Sequence, residues 1–326
     1  MKIGFLHYKI PLMDVVTERL RARLAGHEFL AWSVGDAPAA RDLDLLLVIG
    51  DVPRDVMESQ PKLALVQTAT AGYDGIDIDA ATELGIWVSY APAAETGNAV
   101  SVAEMAILLM LAAARNLNRA TLSLRDRSQR ATRLNRALYG KSVCIVGYGG
   151  IGRELATRLV AFGNRVTTVD KHPERVPEHI EYFAANDLKL AIADADFVVV
   201  AVPATKANEK LFDTDVIAAM KHGAILVNVA RGSLVDEDAL RAAVSEGRLY
   251  AAGLDVVRHE PVEPAEPLLD HPEIFITPHI AGATDLMIDG TIDFLISVVD
   301  GVAAGRKPGS VLNDPPAPRL VLETRA

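Results

Sequence analysis

The sequence predicts an α/β protein that contains two doubly wound parallel sheets, and three observations support this. Apolar runs of strand length alternate with segments of helical spacing along most of the 326 residues. The alternation occurs twice, separated by a long apolar helix and an arginine-rich segment. The chain is also long enough to bury two cores. Such alternation is typical of a parallel sheet with helices on both faces.

The first series occupies the first hundred residues. Strands are predicted at 2–8, 43–49, 63–68 and 86–89, and helices at 13–24 and 76–84. A longer apolar helix is predicted at 98–118. The chain closes with a predicted helix at 284–304 and proline-rich coil.

The second series begins at Lys141 and predicts six strands. They lie at 142–147, 165–170, 196–202, 224–229, 250–254 and 274–277, with helices at 151–162, 213–221 and 236–246. Six strands are the number in a complete doubly wound dinucleotide-binding domain.

Composition and charge restrict the class of protein. Half of the residues are apolar and 23% are charged. The single cysteine, Cys144, excludes an internal disulfide bond and is interpreted as a packing residue. The N-terminal residues lack a secretion signal, so we expect a cytoplasmic protein. A formal net charge of −10 argues against nucleic-acid or anionic-membrane partners, and positive potential for an anionic substrate must then be supplied locally.

One segment departs from this acidic character. Seven arginines fall within 22 residues, where the opposing acid is Asp126: Arg115, Arg119, Arg125, Arg127, Arg130, Arg133 and Arg136. We interpret the segment as a solvated helical arm, or as one that pairs with an acidic surface of a second subunit. A ligand that bears phosphate is the alternative.

A glycine-rich loop follows the first strand of the second series, in the order Gly147-Tyr148-Gly149-Gly150-Ile151-Gly152. Gly147 permits a tight turn, Gly149 lets the backbone approach a pyrophosphate, and Gly152 allows the helix and strand to pack closely. The helix that begins here offers free N–H groups to phosphates. The loop therefore predicts a dinucleotide site.

Asp170 ends the next predicted strand, eighteen residues after Gly152. A carboxylate there can accept hydrogen bonds from the adenosine ribose and repels a 2′-phosphate. We therefore expect NAD rather than NADP, although Lys171 and His172 could partly offset that repulsion.

Acid/base and anion-binding groups follow three later strands. His279 comes after a predicted strand and Pro278, where a histidine can transfer a hydroxyl proton at neutral pH. Glu260 can accept from the other ring nitrogen and raise the pKa of His279. Arg231 can bind a carboxylate and an α-oxygen with a forked pair of bonds. On spacing alone, a structural role for His279 or Arg231 stays equally open.

Together these segments resemble the D-isomer-specific 2-hydroxyacid dehydrogenases over about 63–313. The resemblance lies in 67–74, 98–104, the glycine loop, 228–232, 254–261 and 277–279. It implies that Arg231 binds and polarises a keto acid while His279, held by Glu260, transfers the proton. No metal takes part.

The resemblance also implies roles for residues that spacing alone does not select. The N–H groups of Ala71 and Gly72 would hold the substrate carboxylate, and Asn98 would line the site. Other residues would contact the cofactor: Asp255 and the main chain of Ala230 at the nicotinamide carboxamide, and Val202 and Pro203 at the adenosine.

Domain organisation is implied in the same way. Residues 1–98 with 283–326 would form a flavodoxin-like substrate domain, and residues 99–282 a Rossmann NAD-binding domain that forms a homodimer. The activity implied is hydride transfer between NAD(H) and a small anionic D-2-hydroxy or 2-keto acid. The alternative is an NADH-sensing, corepressor-like interaction protein.

Two residues depart from or refine the family pattern. Gly150 stands where arginine or asparagine is common, which removes a side chain from the pyrophosphate. Glu260 argues against formate as substrate, because the formate-oxidising branch has glutamine there. The rest of the substrate stays open.

Overall fold

The computed structural model describes residues 1–36, 38, 40–125, 134–320 and 322. The chain divides into two compact units. The first comprises Met1–Asn98 with Thr284–Ala326, and the second comprises Ala99–Ala283.

The first unit contains a five-stranded parallel sheet. Its strands are β1 (Lys2–His7), β2 (Glu28–Ser33), β3 (Leu45–Ile49), β4 (Leu65–Thr68) and β5 (Trp87–Ser89), in the spatial order β2-β1-β3-β4-β5. Its helices are α1 (Pro11–Arg23), α2 (Arg54–Glu58), α3 (Ile78–Glu83) and the C-terminal α10 (Asp285–Ala303). This strand order is that of the flavodoxin-like fold, which confirms the predicted architecture.

Apolar side chains explain why these elements pack. Ile3, Phe5 and Leu47 are fully buried and pack with Leu295 and Val299 of α10 in one core. A second core covers the other face of the sheet. Strands that are buried on both faces need continuous apolar runs, and β3 has one.

The second unit contains a seven-stranded parallel sheet. Its strands are β6 (Ser142–Val146), β7 (Arg165–Asp170), β8 (Glu181–Ala184), β9 (Phe197–Val200), β10 (Ala224–Asn228), β11 (Leu249–Leu254) and β12 (Ile274–Ile276). Their order is β12-β11-β10-β9-β6-β7-β8, which is the Rossmann order with one further strand. The helices are α4 (Asn98–Ala114), α5 (Leu117–Arg125), α6 (Gly150–Ala161), α7 (Leu188–Ile192), α8 (Thr214–Ala219) and α9 (Glu237–Ser245).

Two strands were missing from the sequence prediction, and both lie at sheet edges. The second sheet has seven strands, whereas six were predicted. The strand missing from the prediction is the edge strand β8, in which no residue is fully buried. In the first unit, β2 is likewise an edge strand with a mixed burial pattern. An edge strand that is partly exposed has no continuous apolar run to reveal it.

The helix predicted at 98–118 is in fact two helices. α4 and α5 meet at a bend of 56°, where Asn116 has a φ of +50°. Its side-chain amide donates to the hydroxyl of Tyr250 at 2.5 Å and to Asn135 at 3.1 Å. Asparagine tolerates the left-handed region, so the bend is set by a tertiary contact rather than by a helix-breaking residue.

Cys144 is buried inside β6, and burial raises the pKa of its thiol to about 12. It therefore stays a neutral packing group at physiological pH.

Within the described ranges, no single helix is long and apolar enough to cross a membrane, although α4 and α5 together meet the criteria of length and composition.

Candidate active site

The three groups predicted to carry chemistry follow three neighbouring strands. Arg231 comes after β10, Glu260 after β11 and His279 after β12, and these strands are adjacent and parallel. Parallel strands present their carboxyl ends at one edge of the sheet. The topology of the second unit therefore brings the three loops together.

A short contact joins Glu260 to His279. Nδ1 of His279 lies 2.6 Å from Oε2 of Glu260. The imidazole side chain is 48% exposed and the carboxylate 33%, so the pair is partly shielded yet open to solvent. With Nδ1 bound to the carboxylate, Nε2 is the ring nitrogen left to exchange a proton.

The electrostatics of the pair make the imidazole a stronger base. The hydrogen bond to Glu260 raises the pKa of His279 above its ordinary value, against the effect of burial. The charges of Glu260 and Asp255 also raise this pKa, and that of Arg231 lowers it. Burial acts to raise the pKa of Glu260, but the bond and charge of His279 outweigh it, and this pKa lies below its ordinary value. The two shifts favour a carboxylate–imidazolium pair near neutral pH.

Arg231 lies in a turn that the side chain of Asn228 holds. The Asn228 amide donates to the Arg231 carbonyl at 2.8 Å and accepts from the Ala230 N–H at 3.0 Å. The guanidinium donates to the Ala230 carbonyl at 2.7 Å. Its charge acts on both Glu260 and His279, so all three groups share one electrostatic site.

Asp255 organises the loop that carries His279. Its carboxylate is 1% exposed and accepts from the Thr277 hydroxyl at 2.6 Å and from the N–H groups of Ile280 and Ala281 at 3.0 and 2.9 Å. His279 has a φ of +54°, a conformation that costs free energy outside glycine and needs support of this kind. This is also the carboxylate predicted to contact the nicotinamide carboxamide, and its bonds to the loop place it beside His279.

The glycine loop joins β6 to α6. Gly147 has a φ of +108°, and a Cβ there would lie 2.6 Å from the Ala201 carbonyl oxygen. A Cβ at Gly152 would lie 2.0 Å from the Gly147 carbonyl oxygen, whereas at Gly149 it would meet no described atom within 4 Å. Gly149 precedes the first residue of α6. The space above Gly149 therefore lies at a helix N-terminus, where N–H groups can bind phosphate. Gly150 and Ile151 form the first turn of that helix.

Further predicted cofactor residues lie around this loop. Asp170 ends β7, where its carboxylate accepts from the N–H of Tyr148 at 2.6 Å and from that of His172 at 2.8 Å. It is thereby fixed beside the glycine turn. Val202 and Pro203 follow β9, and the backbone of Val202 lies against Gly147.

The predicted carboxylate-binding residues belong to the first unit. Ala71 and Gly72 follow β4, where the Thr70 hydroxyl donates to the Gly72 carbonyl at 2.9 Å. Asn98, the last residue of the first segment of that unit, begins α4.

Sequence reasoning missed three residues that shape the site: Asn228, Thr277 and Glu237. Asn228 and Thr277 lie within the family motifs at 228–232 and 277–279, and Glu237 within the predicted helix at 236–246, without a role of their own. Each acts through a bond to another loop residue. A polar residue at the carboxyl end of a strand is the signal that identifies the first two.

The fold and glycine turn define a doubly wound α/β protein of the Rossmann type. Residues 107–281 match the model of the D-isomer specific 2-hydroxyacid dehydrogenase, NAD binding domain. The chain belongs to the D-isomer specific 2-hydroxyacid dehydrogenase family, which confirms the resemblance seen in the sequence.

Individual relatives are similar over different lengths. The D-3-phosphoglycerate dehydrogenase of Methanocaldococcus jannaschii is 38% identical over 283 residues, which cover 86% of this chain and 53% of that protein. The hydroxypyruvate reductase of Thermotoga maritima is 38% identical over 248 residues, which cover 74% of this chain and 79% of that protein. The chain thus spans about half the length of the phosphoglycerate dehydrogenases that it matches.

Among solved structures, the NADPH-dependent glyoxylate/hydroxypyruvate reductase of Sinorhizobium meliloti is 30% identical. It superposes with a TM-score of 0.83, over 97% of this chain and 99% of that one.

Proposed function

We propose that the protein transfers hydride between a nicotinamide dinucleotide and a small D-2-hydroxy or 2-keto acid. The observation that supports this most strongly is the 2.6 Å contact between Glu260 and His279. The charge of Arg231 acts on both of these groups, and all three lie in the same unit as the glycine turn. Family membership supports the same reaction class.

Each side chain has one task in this proposal. When bound, the nicotinamide supplies or accepts hydride at substrate C2. His279 gives a proton from Nε2 to the carbonyl oxygen during reduction and takes it back during oxidation. Glu260 holds the ring and stabilises its protonated form. Arg231 grips the substrate oxygens and stabilises the charge that develops there.

Other groups hold the ligands. The N–H groups of Ala71 and Gly72 are proposed to bind the substrate carboxylate, and Asn98 to line the site. Gly149, Gly150 and Ile151 would face the pyrophosphate, while Gly147 and Gly152 would shape the turn. Val202 and Pro203 would flank the adenosine, and Asp255 and the Ala230 main chain would meet the carboxamide.

NAD is the proposed cofactor, because the Asp170 carboxylate ends β7 beside the glycine turn and would repel a 2′-phosphate. The similar S. meliloti enzyme is NADPH-dependent by name, so the choice needs its own test. The test is to measure the KM for NADH and for NADPH in the same assay. A lower KM for NADPH would contradict the proposal.

The first unit is proposed as the substrate domain and the second as the NAD-binding domain of a cytoplasmic homodimer. None of the nine residues of α5, all of which the structure describes, is buried. Its Leu117 and Leu124 are exposed and lie seven residues apart, on one face of the helix. An exposed apolar helix face of this kind is typical of a subunit interface.

Of the arginine-rich segment, Arg119 pairs with Glu273, and Arg136 binds the Gly223 carbonyl and stacks on Tyr250. Arg127, Arg130 and Arg133 lie outside the described residues.

The activity is tested with purified protein, NADH and a panel of 2-keto acids that includes glyoxylate, hydroxypyruvate and pyruvate. We expect NADH oxidation with at least one of them, and its loss in His279→Ala. Tight NADH binding without turnover on any substrate would instead favour the NADH-sensing alternative.

A further inference from the structure

One peptide group, between Val257 and Arg258, is held from two sides. On one side lies Gly232, where a Cβ would lie 2.0 Å from the Val257 carbonyl carbon and 2.3 Å from the Arg258 nitrogen. On the other, Oε1 of Glu237 accepts from the Arg258 N–H at 2.6 Å. The peptide thus contacts bare backbone on one face and a carboxylate at its N–H.

This peptide lies at the start of the loop that carries Glu260. The N–H of Val257 donates to Oε1 of Glu260 at 3.1 Å, while Oε2 of the same carboxylate meets His279. This N–H belongs to the preceding peptide group, which is joined to the Val257–Arg258 peptide through the Cα of Val257. A shift of the Val257–Arg258 peptide would therefore also displace the Val257 N–H and the carboxylate that orients the imidazole. Because Gly232 directly follows Arg231, the same contact also sets the distance between the arginine turn and the Glu260 loop.

Glu237 is free for this task because another residue caps its helix. Asp236 is the N-cap of α9 and accepts from the Ala239 N–H. Glu237 occupies the first turn, yet its side chain turns to the neighbouring loop. Burial and the nearby charge of Glu266 raise the pKa of Glu237, while the Arg258 amide and the charges of His259 and Arg258 lower it, and the pKa lies above its ordinary value.

We propose that Glu237 is a positioning residue, which together with Gly232 clamps the Val257–Arg258 peptide and so holds Glu260 against His279. The expected effect on turnover rests on the proposed function, whereas the expected placement of Glu260 against His279 does not depend on it.

The test measures the pKa of His279 by NMR in the cofactor-free protein, with its resonance assigned by comparison with His279→Gln. In Glu237→Ala we expect this pKa to fall towards its value in Glu260→Gln. Glu237→Gln keeps an acceptor oxygen of similar reach and should retain most of the wild-type pKa. Asp238→Ala is the matched control, because Asp238 is an acid of the same helical turn that pairs with Arg241. It should leave the pKa of His279 unchanged.

Turnover gives a second readout. For a displaced catalytic pair we expect kcat for keto-acid reduction to fall on the order of 10- to 100-fold. KM and NADH affinity should change little. In the pH profile of kcat, the alkaline limb should move to lower pH. Gly232→Ala should act in the same direction.

The idea is overturned if Glu237→Ala folds, binds NADH normally and keeps the wild-type pKa of His279. If that variant does not fold, Glu237→Asp decides the point, because it keeps the charge but is one methylene short of the Arg258 amide. An absence of turnover in the wild-type protein would refute the proposed function and leave the NMR result intact.

Discussion

The two units of this chain share an architecture but differ at their strand ends. Both contain parallel, doubly wound sheets with apolar cores on each face. The loops after β10, β11 and β12 bring an arginine, a carboxylate and a histidine into one site, where the pKa of the carboxylate is lowered and that of the histidine is raised.

The corresponding loops of the first unit carry small residues and tyrosines, such as Ala71, Gly72 and Tyr73, whose ring contacts that of Tyr90. The comparison teaches that the fold supplies an edge where loops meet, while the loop residues decide the chemistry. Substitutions at matched positions can break or sharpen this comparison.

The largest expected effect follows from removing the imidazole. His279→Ala should lower kcat/KM about 10²- to 10⁴-fold, because proton transfer is lost. His271 is the matched control, since it pairs with Glu273 at 3.2 Å near the opposite end of the same strand. His271→Ala should leave kcat/KM nearly unchanged. Equal losses in steady-state kinetics would refute a site confined to the carboxyl edge.

The next effect concerns the guanidinium. Arg231→Ala should lower kcat/KM about 10²- to 10³-fold through lost charge stabilisation. Arg231→Lys should restore little, because lysine cannot form the forked pair of bonds. NADH affinity, measured by fluorescence titration, should stay near wild type in both. A loss confined to NADH binding would contradict the role of Arg231 as a substrate ligand.

Two glycines of one loop should separate stability from cofactor binding. Gly152→Ala forces a Cβ against the Gly147 carbonyl oxygen and should lower the free energy of unfolding by about 1–3 kcal/mol. Gly149→Ala has room for its Cβ in the free protein, so it should leave stability unchanged and weaken NADH binding. Denaturant unfolding and NADH titration of both variants check this. Equal stability losses would show that the loop is strained throughout.

A smaller effect is a shift in pH dependence. In the proposed reaction, reduction needs protonated His279, and the raised pKa of this group keeps the imidazolium present to higher pH. In Glu260→Gln the alkaline limb of kcat/KM should move to lower pH. The same ion pair between His279 and Glu260 also contributes to the free energy of unfolding. This contribution is fully present below the ordinary pKa of histidine and is lost as pH rises through the raised pKa of His279. At acid pH the contribution is lost as pH falls through the lowered pKa of Glu260. An unchanged profile would show that another group titrates.

The smallest effect is expected in the first unit. Tyr73→Phe keeps the ring contact with Tyr90 and removes an exposed hydroxyl. Stability should change by no more than about 0.5 kcal/mol, and kcat should stay near wild type. A large fall in kcat would place catalytic chemistry in both units.

Edge strands and loop contacts mark where prediction from sequence fails. β3, β6 and β9 were predicted because strands buried on two faces need continuous apolar runs. β2 and β8 were missed because they lie at sheet edges. The bend at Asn116 was missed because the residues that hold it, Tyr250 and Asn135, are remote in sequence.

The sequence by itself determined the two parallel sheets and the glycine turn, because apolar periodicity and glycine spacing are local properties. It also determined the candidate catalytic residues, which its resemblance to the family selects where spacing alone leaves a structural role open. The tertiary structure alone decided that Glu260 meets His279 at 2.6 Å, that Asp255 holds the histidine loop, and that Gly232 and Glu237 enclose one peptide. These contacts join residues whose separation depends on strand order and register, which no local pattern encodes.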